Sequence, residues 1–111
     1  MLRKSIKLIQ NQKNFKKITC LTAYTSSIAN IVDKHVDVIL VGDSLGTAIY
    51  GMKNTQGVTL EMMMLHGKAV VNSSKKALTV IDMPYNTYNN KKNALINARK
   101  IINYTKCQCI K

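Results

Sequence analysis

Short apolar runs of strand length alternate with longer segments of helical periodicity, and this alternation constrains the fold more than any other feature. Residues 36–41 form a nearly continuous apolar run that ends at Gly42. Such runs are typical of strands buried on both faces of a parallel sheet. Runs rich in strand-forming residues predict further strands at 17–24, 77–81 and 107–111.

The segments between these strands predict helices. In segment 28–34, Ile28, Ile31 and Val32 share one helical face. Apolar residues recur at helical spacing through 59–71 and 89–104. The order β-α-β-α-β-α-β with right-handed crossovers predicts an α/β fold with a parallel sheet, either doubly wound or barrel-forming.

The segments outside these strands and helices, and the length of the chain, limit the fold further. Apolar spacing in the first 17 residues favours a short leading helix, and the glycine-containing segment that follows residue 42 predicts a loop. A complete (β/α)8 barrel needs roughly 250 residues. The 111 residues of this chain are too few for one.

Two of the five acidic residues directly follow predicted strands. Asp43 comes after the strand at 36–41, and Asp82 comes after the strand at 77–81. The carboxyl ends of parallel strands meet at one edge of a sheet, so these two acids are predicted to converge. A shared divalent cation such as Mg²⁺ would relieve their repulsion. The alternative is that each aspartate only caps a loop or a helix.

Other polar residues fall near the same predicted edge. Ser44, in a turn between Gly42 and Gly46, could donate hydrogen bonds to an anionic ligand. Lys111, at the end of the fourth predicted strand, could bind a carboxylate on the same face. We interpret His66, in a methionine-rich helical segment, as structural.

The formal charge of +12 favours no particular partner. Fifteen of the 17 basic residues are lysine, they are scattered, and they show no alternation with aromatic residues. We therefore expect a lysine-rich solvated surface and no nucleic-acid partner, although a basic face can bind phosphate-rich polymers. Three cysteines without CxxC spacing and a leader without an apolar core favour a cytoplasmic protein with no membrane association.

The ordered motifs resemble those of the ketopantoate hydroxymethyltransferase family (3-methyl-2-oxobutanoate hydroxymethyltransferases). The Val-Gly-Asp-Ser-Leu-Gly segment at 41–46 is the centre of this resemblance, which runs from about residue 5 to the last residue. The accompanying matches are the segments 21–24, 50–51, 58–60, 69–70, 82–84 and 110–111, with Thr55, His66 and Tyr88.

The resemblance implies a (β/α)8 barrel enzyme of pantothenate and coenzyme A biosynthesis. Such an enzyme transfers a hydroxymethyl group from 5,10-methylenetetrahydrofolate to 3-methyl-2-oxobutanoate, giving 2-dehydropantoate. By position, Asp43 and Asp82 resemble the family's Mg²⁺ ligands, while Ser44 and Lys111 resemble residues that hold the 2-oxoacid. Together these four are the expected substrate-binding residues.

The same resemblance makes residues 1–111 the N-terminal part of one barrel domain: three βα units and the fourth strand. The family's general base is then expected beyond residue 111, so we expect the 111-residue chain to be inactive alone, and the full-length protein to be a homo-oligomer. Two alternatives remain open. One is a related metal-dependent 2-oxoacid enzyme of the same barrel superfamily, and the other is a small basic nucleic-acid-binding protein.

Overall fold

Residues 2–111 are described by a computed structural model, in which four parallel strands alternate with helices. The strands pair in the order β1-β2-β3-β4. They are β1 (Cys20–Thr22), β2 (Val38–Val41), β3 (Leu78–Ile81) and β4 (Cys109–Ile110). The α-helices are α1 (Ile6–Asn11), α2 (Ser26–Val32), α3 (Leu45–Ala48), α4 (Leu60–Ser73) and α5 (Lys91–Thr105). A 3₁₀ turn, Thr55–Gly57, precedes α4.

The predicted α/β class and the parallel sheet are confirmed, with shorter strands than the sequence indicated. The segment after β2 is predicted to be a loop, and this prediction is wrong for Leu45–Ala48, which form α3. A four-residue helix is too short to show a periodic pattern, and it contains a glycine. That glycine is needed for packing, since a Cβ at Gly46 would lie 2.5 Å from Val58 Cγ2 and 3.2 Å from Met52 Sδ.

One face of the sheet carries most of the core. Helix α4 packs against α2 and α5 and against strands β2 and β3. It buries Met63, Gly67 and Val70, and a Cβ added at Gly67 would collide with the buried side chain of Ile81. The methionine-rich segment therefore fills the space between helix and sheet, as Met side chains often do.

The prediction that residues 36–41 are buried on both faces is wrong within the described chain. Ile39 and Val41 are fully buried, whereas Val38 and Leu40 are half-buried. The cause is that the helices of residues 2–111 cover one face of the sheet, so the strand alternates between buried and partly open positions.

The predicted apolar face of the first crossover helix is only partly in the core, against which Val32 packs. Within α2 only Ala29 is buried, while Ile28 and Ile31 are 46% and 61% exposed. All three residues of β1 are exposed as well. Within residues 2–111, β1 pairs only with β2 and β4 pairs only with β3, which leaves both edges of the sheet open.

Two buried acids hold together the end of the sheet at which the strands begin. The carboxylate of Asp33 accepts the backbone N–H groups of Lys75, Lys76 and Ala77 at 2.8–3.0 Å. The carboxylate of Asp37 accepts the backbone N–H of Thr19 at 3.0 Å and the Thr19 hydroxyl at 3.1 Å. Asp33 therefore stabilises the turn between α4 and β3, and Asp37 ties together the segments that lead into β1 and β2.

The segment before α1 crosses this same end of the sheet. The Arg3 guanidinium donates to the carbonyl oxygens of Val71 and Ala77 at 3.0 and 3.1 Å. The Lys4 backbone N–H donates to the Lys76 carbonyl at 2.8 Å, and the Lys4 ammonium forms an ion pair with Asp37. The leading residues are thus anchored to the sheet by backbone and charge contacts.

Asp37 is expected to make the free energy of unfolding depend on pH in the acidic range. The hydrogen bond from Lys4, followed by that from the Thr19 backbone, holds the pKa of Asp37 well below its usual range, although burial opposes this. Because the pKa is lower in the folded state than in the unfolded state, the carboxylate stabilises the fold above about pH 4. That contribution is lost as the pH falls from there toward the lowered folded pKa.

Urea unfolding at pH 7, 5, 4 and 3 tests this expectation. Asp37→Asn should be less stable than the wild type at pH 7, and the difference should shrink toward pH 3. The exposed Glu61→Gln is the matched control and should follow the wild-type profile. An Asp37→Asn profile parallel to that of the wild type would contradict the assignment.

Candidate active site

The carboxyl ends of β2, β3 and β4 bring three of the four predicted site residues together. Asp43, Asp82 and Lys111 line one cleft of about 210 Å³, with Met83 and Tyr88 completing its wall. Asp82 and Lys111 directly follow their strands, and Asp43 is the second residue after the end of β2. The cleft is smaller than the roughly 300–1,000 Å³ of sites for drug-sized ligands, which suits a small ligand.

Asp82 is the centre of this cleft. It is only 7% exposed, its Oδ2 accepts the backbone N–H of Asp43 at 3.0 Å, and its Oδ1 lies 3.0 Å from the Lys111 ammonium. The hydrogen bond to Asp82 and the charge of that carboxylate raise the pKa of Lys111 above its ordinary value. The buried acid is therefore paired with a cation, as burial of a charge requires.

Asp43 and Lys111 both have polar atoms that remain available to bind a ligand. Within residues 2–111, the Asp43 carboxylate forms no hydrogen bond or ion pair with another side chain, and it is only partly buried. The Lys111 side chain is 67% exposed, so it can leave Asp82 without a large structural change. The cleft thus has a carboxylate and an ammonium group that can turn toward a ligand.

Ser44 lies beside the cleft but not in its wall. Its hydroxyl is 2.7 Å from the Tyr24 hydroxyl. A Cβ added at Gly42 would lie 3.1 Å from Ser44 Oγ and 3.5 Å from Asp82 Oδ2, so this glycine keeps open the space between the hydroxyl and the carboxylate. Any larger residue at this position would fill that space.

A family model described as ketopantoate hydroxymethyltransferase matches residues 3–111. The chain belongs to the ketopantoate hydroxymethyltransferase family. Membership in this family of transferase enzymes favours the transferase interpretation over the two alternatives that the sequence left open.

Several curated relatives carry the name 3-methyl-2-oxobutanoate hydroxymethyltransferase. The protein from Pelagibacter ubique is 52% identical over 110 residues, which cover 99% of this chain and 43% of that relative. The protein from Anaplasma marginale is 52% identical over 103 residues, covering 93% of this chain and 37% of the relative. The protein from Rhizobium etli is 49% identical, covering 93% and 38%. The chain spans about two fifths of the length of these relatives.

The donor set of the cleft fits the Mg²⁺ ion that the family resemblance implies. Mg²⁺ prefers oxygen ligands and is commonly held by one or two carboxylates, with water and substrate oxygens completing its shell. Asp43 and Asp82 supply two such carboxylates on one cleft. Among residues 2–111, no group of three or more His, Cys, Asp and Glu side chains comes together. The roles of these residues as metal and substrate ligands stay predictions.

Sequence reasoning did not assign a role in the site to three residues that the structure brings to it. Met83 and Tyr88 line the cleft, and Tyr24 contacts Ser44. All three residues lie at positions that match the ketopantoate hydroxymethyltransferase motifs, so those matches could have suggested them. The interpretation of His66 as structural agrees with its two hydrogen bonds, to the Tyr24 carbonyl and to a tyrosine hydroxyl.

No helix in residues 2–111 is long and apolar enough to cross a membrane.

Proposed function

We propose that this chain carries the metal- and 2-oxoacid-binding residues of a 3-methyl-2-oxobutanoate hydroxymethyltransferase. The reaction would transfer a hydroxymethyl group from 5,10-methylenetetrahydrofolate to 3-methyl-2-oxobutanoate, giving 2-dehydropantoate. The observation that carries the proposal is the meeting of Asp43, Asp82 and Lys111 in one cleft at the strand ends.

Each polar residue of the site has a definite task in this proposal. Asp43 and Asp82 hold Mg²⁺, and the bound ion supplies Lewis acidity to the oxygens of the 2-oxoacid. Lys111 turns from Asp82 to the carboxylate of the 2-oxoacid, which its exposed side chain allows. The Ser44 hydroxyl donates a hydrogen bond to an oxygen of the same ligand.

We also propose that the parallel sheet is part of a (β/α)8 barrel. The open edges at β1 and β4 and the half-buried face of β2 support this, because a closed barrel would cover all three. Within residues 2–111, Asp43 and Asp82 are the only acids that line the cleft, so a carboxylate acting as general base would come from outside this sequence. The chain alone would then bind ligand without turnover. A cytoplasmic homo-oligomer belongs to the same proposal, supported by the free thiols and the family resemblance.

Binding of the 2-oxoacid to the chain itself tests the proposal. NMR titration with 3-methyl-2-oxobutanoate should give saturable shifts at the strand ends only when Mg²⁺ is present. Asp43→Asn should weaken this Mg²⁺-dependent binding by at least about tenfold, since it removes a charged metal ligand. Glu61→Gln removes an exposed acid elsewhere and should bind as the wild type does. Binding that is indifferent to EDTA, or equal in Asp43→Asn, would overturn the proposal.

A further inference from the structure

Tyr24 connects helix α4 with the hydroxyl of Ser44, because it is hydrogen-bonded to His66 through its backbone and to Ser44 through its side chain. His66 Nδ1 lies 2.6 Å from the backbone carbonyl oxygen of Tyr24, and His66 Nε2 lies 2.7 Å from the Tyr50 hydroxyl. A carbonyl oxygen can only accept, so Nδ1 carries the hydrogen. In the neutral ring, Nε2 is then the acceptor for the Tyr50 hydroxyl. The imidazole is therefore held at both nitrogens.

Tyr24 is held at both of its ends. Its carbonyl accepts from His66, and its phenol hydroxyl lies 2.7 Å from Ser44 Oγ. The residue follows β1 and is half-buried, so its ring spans the distance from the first crossover to the turn after β2. An aromatic side chain with two rotatable bonds, fixed at both ends, offers a rigid contact to that turn.

The Ser44 hydroxyl is available for this contact because it does not cap its own helix. Ser44 occupies the N-cap position of α3, where a serine side chain usually accepts a backbone N–H. Here it forms no capping hydrogen bond. Tyr24 holds the hydroxyl instead, beside the space that Gly42 leaves open toward Asp82.

We propose that Tyr24 is a positioning residue for the 2-oxoacid, and that His66 supports it. This inference rests on the proposed function, in which the Ser44 hydroxyl contacts the ligand. A carboxylate or keto oxygen can only accept a hydrogen bond, so Ser44 must donate to it. The Ser44 oxygen is then the acceptor, and the Tyr24 hydroxyl donates to it. Tyr24 thus directs the Ser44 proton toward the ligand and strengthens that bond by polarising it.

A double-mutant cycle separates positioning from general structural support. The affinity for 3-methyl-2-oxobutanoate with Mg²⁺ is measured in the wild type, Tyr24→Phe, Ser44→Ala and the double variant. Tyr24→Phe keeps the ring and should weaken binding about three- to tenfold, as expected for one lost hydrogen bond. In the Ser44→Ala background the same substitution should have no effect. Equal weakening in both backgrounds would mean structural support only and would overturn the proposal.

The orientation of Ser44 without ligand gives a second, independent measurement. Three-bond couplings should show one χ1 rotamer for Ser44 in the wild type and averaging in Tyr24→Phe. His66→Asn keeps a donor near the position of Nδ1 and should preserve the single rotamer, whereas His66→Leu should not. Tyr85→Phe is the matched control, because Tyr85 is 52% exposed and its side chain forms no hydrogen bond within residues 2–111.

The outcomes distinguish this inference from the proposed function. A wild type that does not bind the 2-oxoacid, but whose Ser44 rotamer depends on Tyr24, would refute the proposed ligand and support the positioning of Ser44. A wild type that binds the 2-oxoacid, with a Ser44 rotamer unchanged in Tyr24→Phe, would support the ligand and overturn the role of Tyr24.

Discussion

Replacing Asp82 by asparagine is expected to lower Mg²⁺-dependent binding of 3-methyl-2-oxobutanoate by about 100-fold or more. Asparagine keeps the shape of the side chain but removes its charge, which weakens the proposed metal site and ends the ion pair with Lys111. Its amide nitrogen would also face either the Asp43 N–H or the Lys111 ammonium, both of which are donors. Mn²⁺ binding followed by electron paramagnetic resonance gives the metal affinity directly.

Lys111→Met is the informative partner of this variant. Removing the ammonium frees Asp82 Oδ1, so Mn²⁺ should bind at least as tightly as in the wild type. Binding of the 2-oxoacid should nevertheless weaken, because its carboxylate loses a cationic partner. Asp82→Asn should therefore lose metal and oxoacid together, and Lys111→Met only the oxoacid. Wild-type Mn²⁺ affinity in Asp82→Asn would rule out this acid as a metal ligand.

The strands and the long helices could be predicted because their signals are local. The apolar run that becomes β2 and the helical repeat that becomes α4 both lie where the sequence placed them. The exposure of Ile28 and Ile31 could not be predicted, because a helix face is buried only if another element covers it. The short helix α3 depends on close packing of Gly46 against Val58, a contact between residues distant from one another in sequence.

The two acids and the lysine of the candidate site could be predicted from the sequence, because the carboxyl ends of parallel strands meet at one edge of the sheet. Asp43, Asp82 and Lys111 needed only the strand boundaries. No local pattern indicates that Asp82 pairs with Lys111, which replaces the predicted repulsion between two bare acids with an ion pair. Likewise, the contact from Tyr24 to Ser44 depends on side-chain directions across two strands.

The place of an acid relative to the strands separates the acids that support the fold from those that line the cleft. Asp33 and Asp37 lie at the end of the sheet opposite the cleft and accept backbone N–H groups there. Asp43 and Asp82 lie at the carboxyl ends of β2 and β3. Residue type alone cannot separate the two pairs, but their places relative to the strands do. The acids at the amino ends accept backbone N–H groups that connect parts of the fold. Those at the carboxyl ends line the cleft, where Asp82 also accepts the Asp43 N–H.

Asp33→Ala is expected to lower the free energy of unfolding by about 3–5 kcal/mol. The Asp33 carboxylate is 6% exposed and accepts three consecutive backbone N–H groups in the turn between α4 and β3. Each donor left without a partner costs about 1–3 kcal/mol. These hydrogen bonds, together with the charge of Arg3, hold the pKa of Asp33 below its usual value although burial opposes the shift. Since a domain of this size has only about 5–15 kcal/mol of stability, the loss would be a large part of it.

Asp43→Ala supplies the matched control, because it removes the same side chain at the opposite end of the sheet. Within residues 2–111 the Asp43 carboxylate accepts no hydrogen bond, so this variant should change the free energy of unfolding by no more than about 0.5 kcal/mol. Asp33→Asn retains one oxygen acceptor and should fall between Asp33→Ala and the wild type. Urea unfolding gives the three values from midpoints and slopes. If Asp33→Ala lost no more stability than Asp43→Ala, the turn between α4 and β3 would be held by its backbone and by Arg3, without the carboxylate.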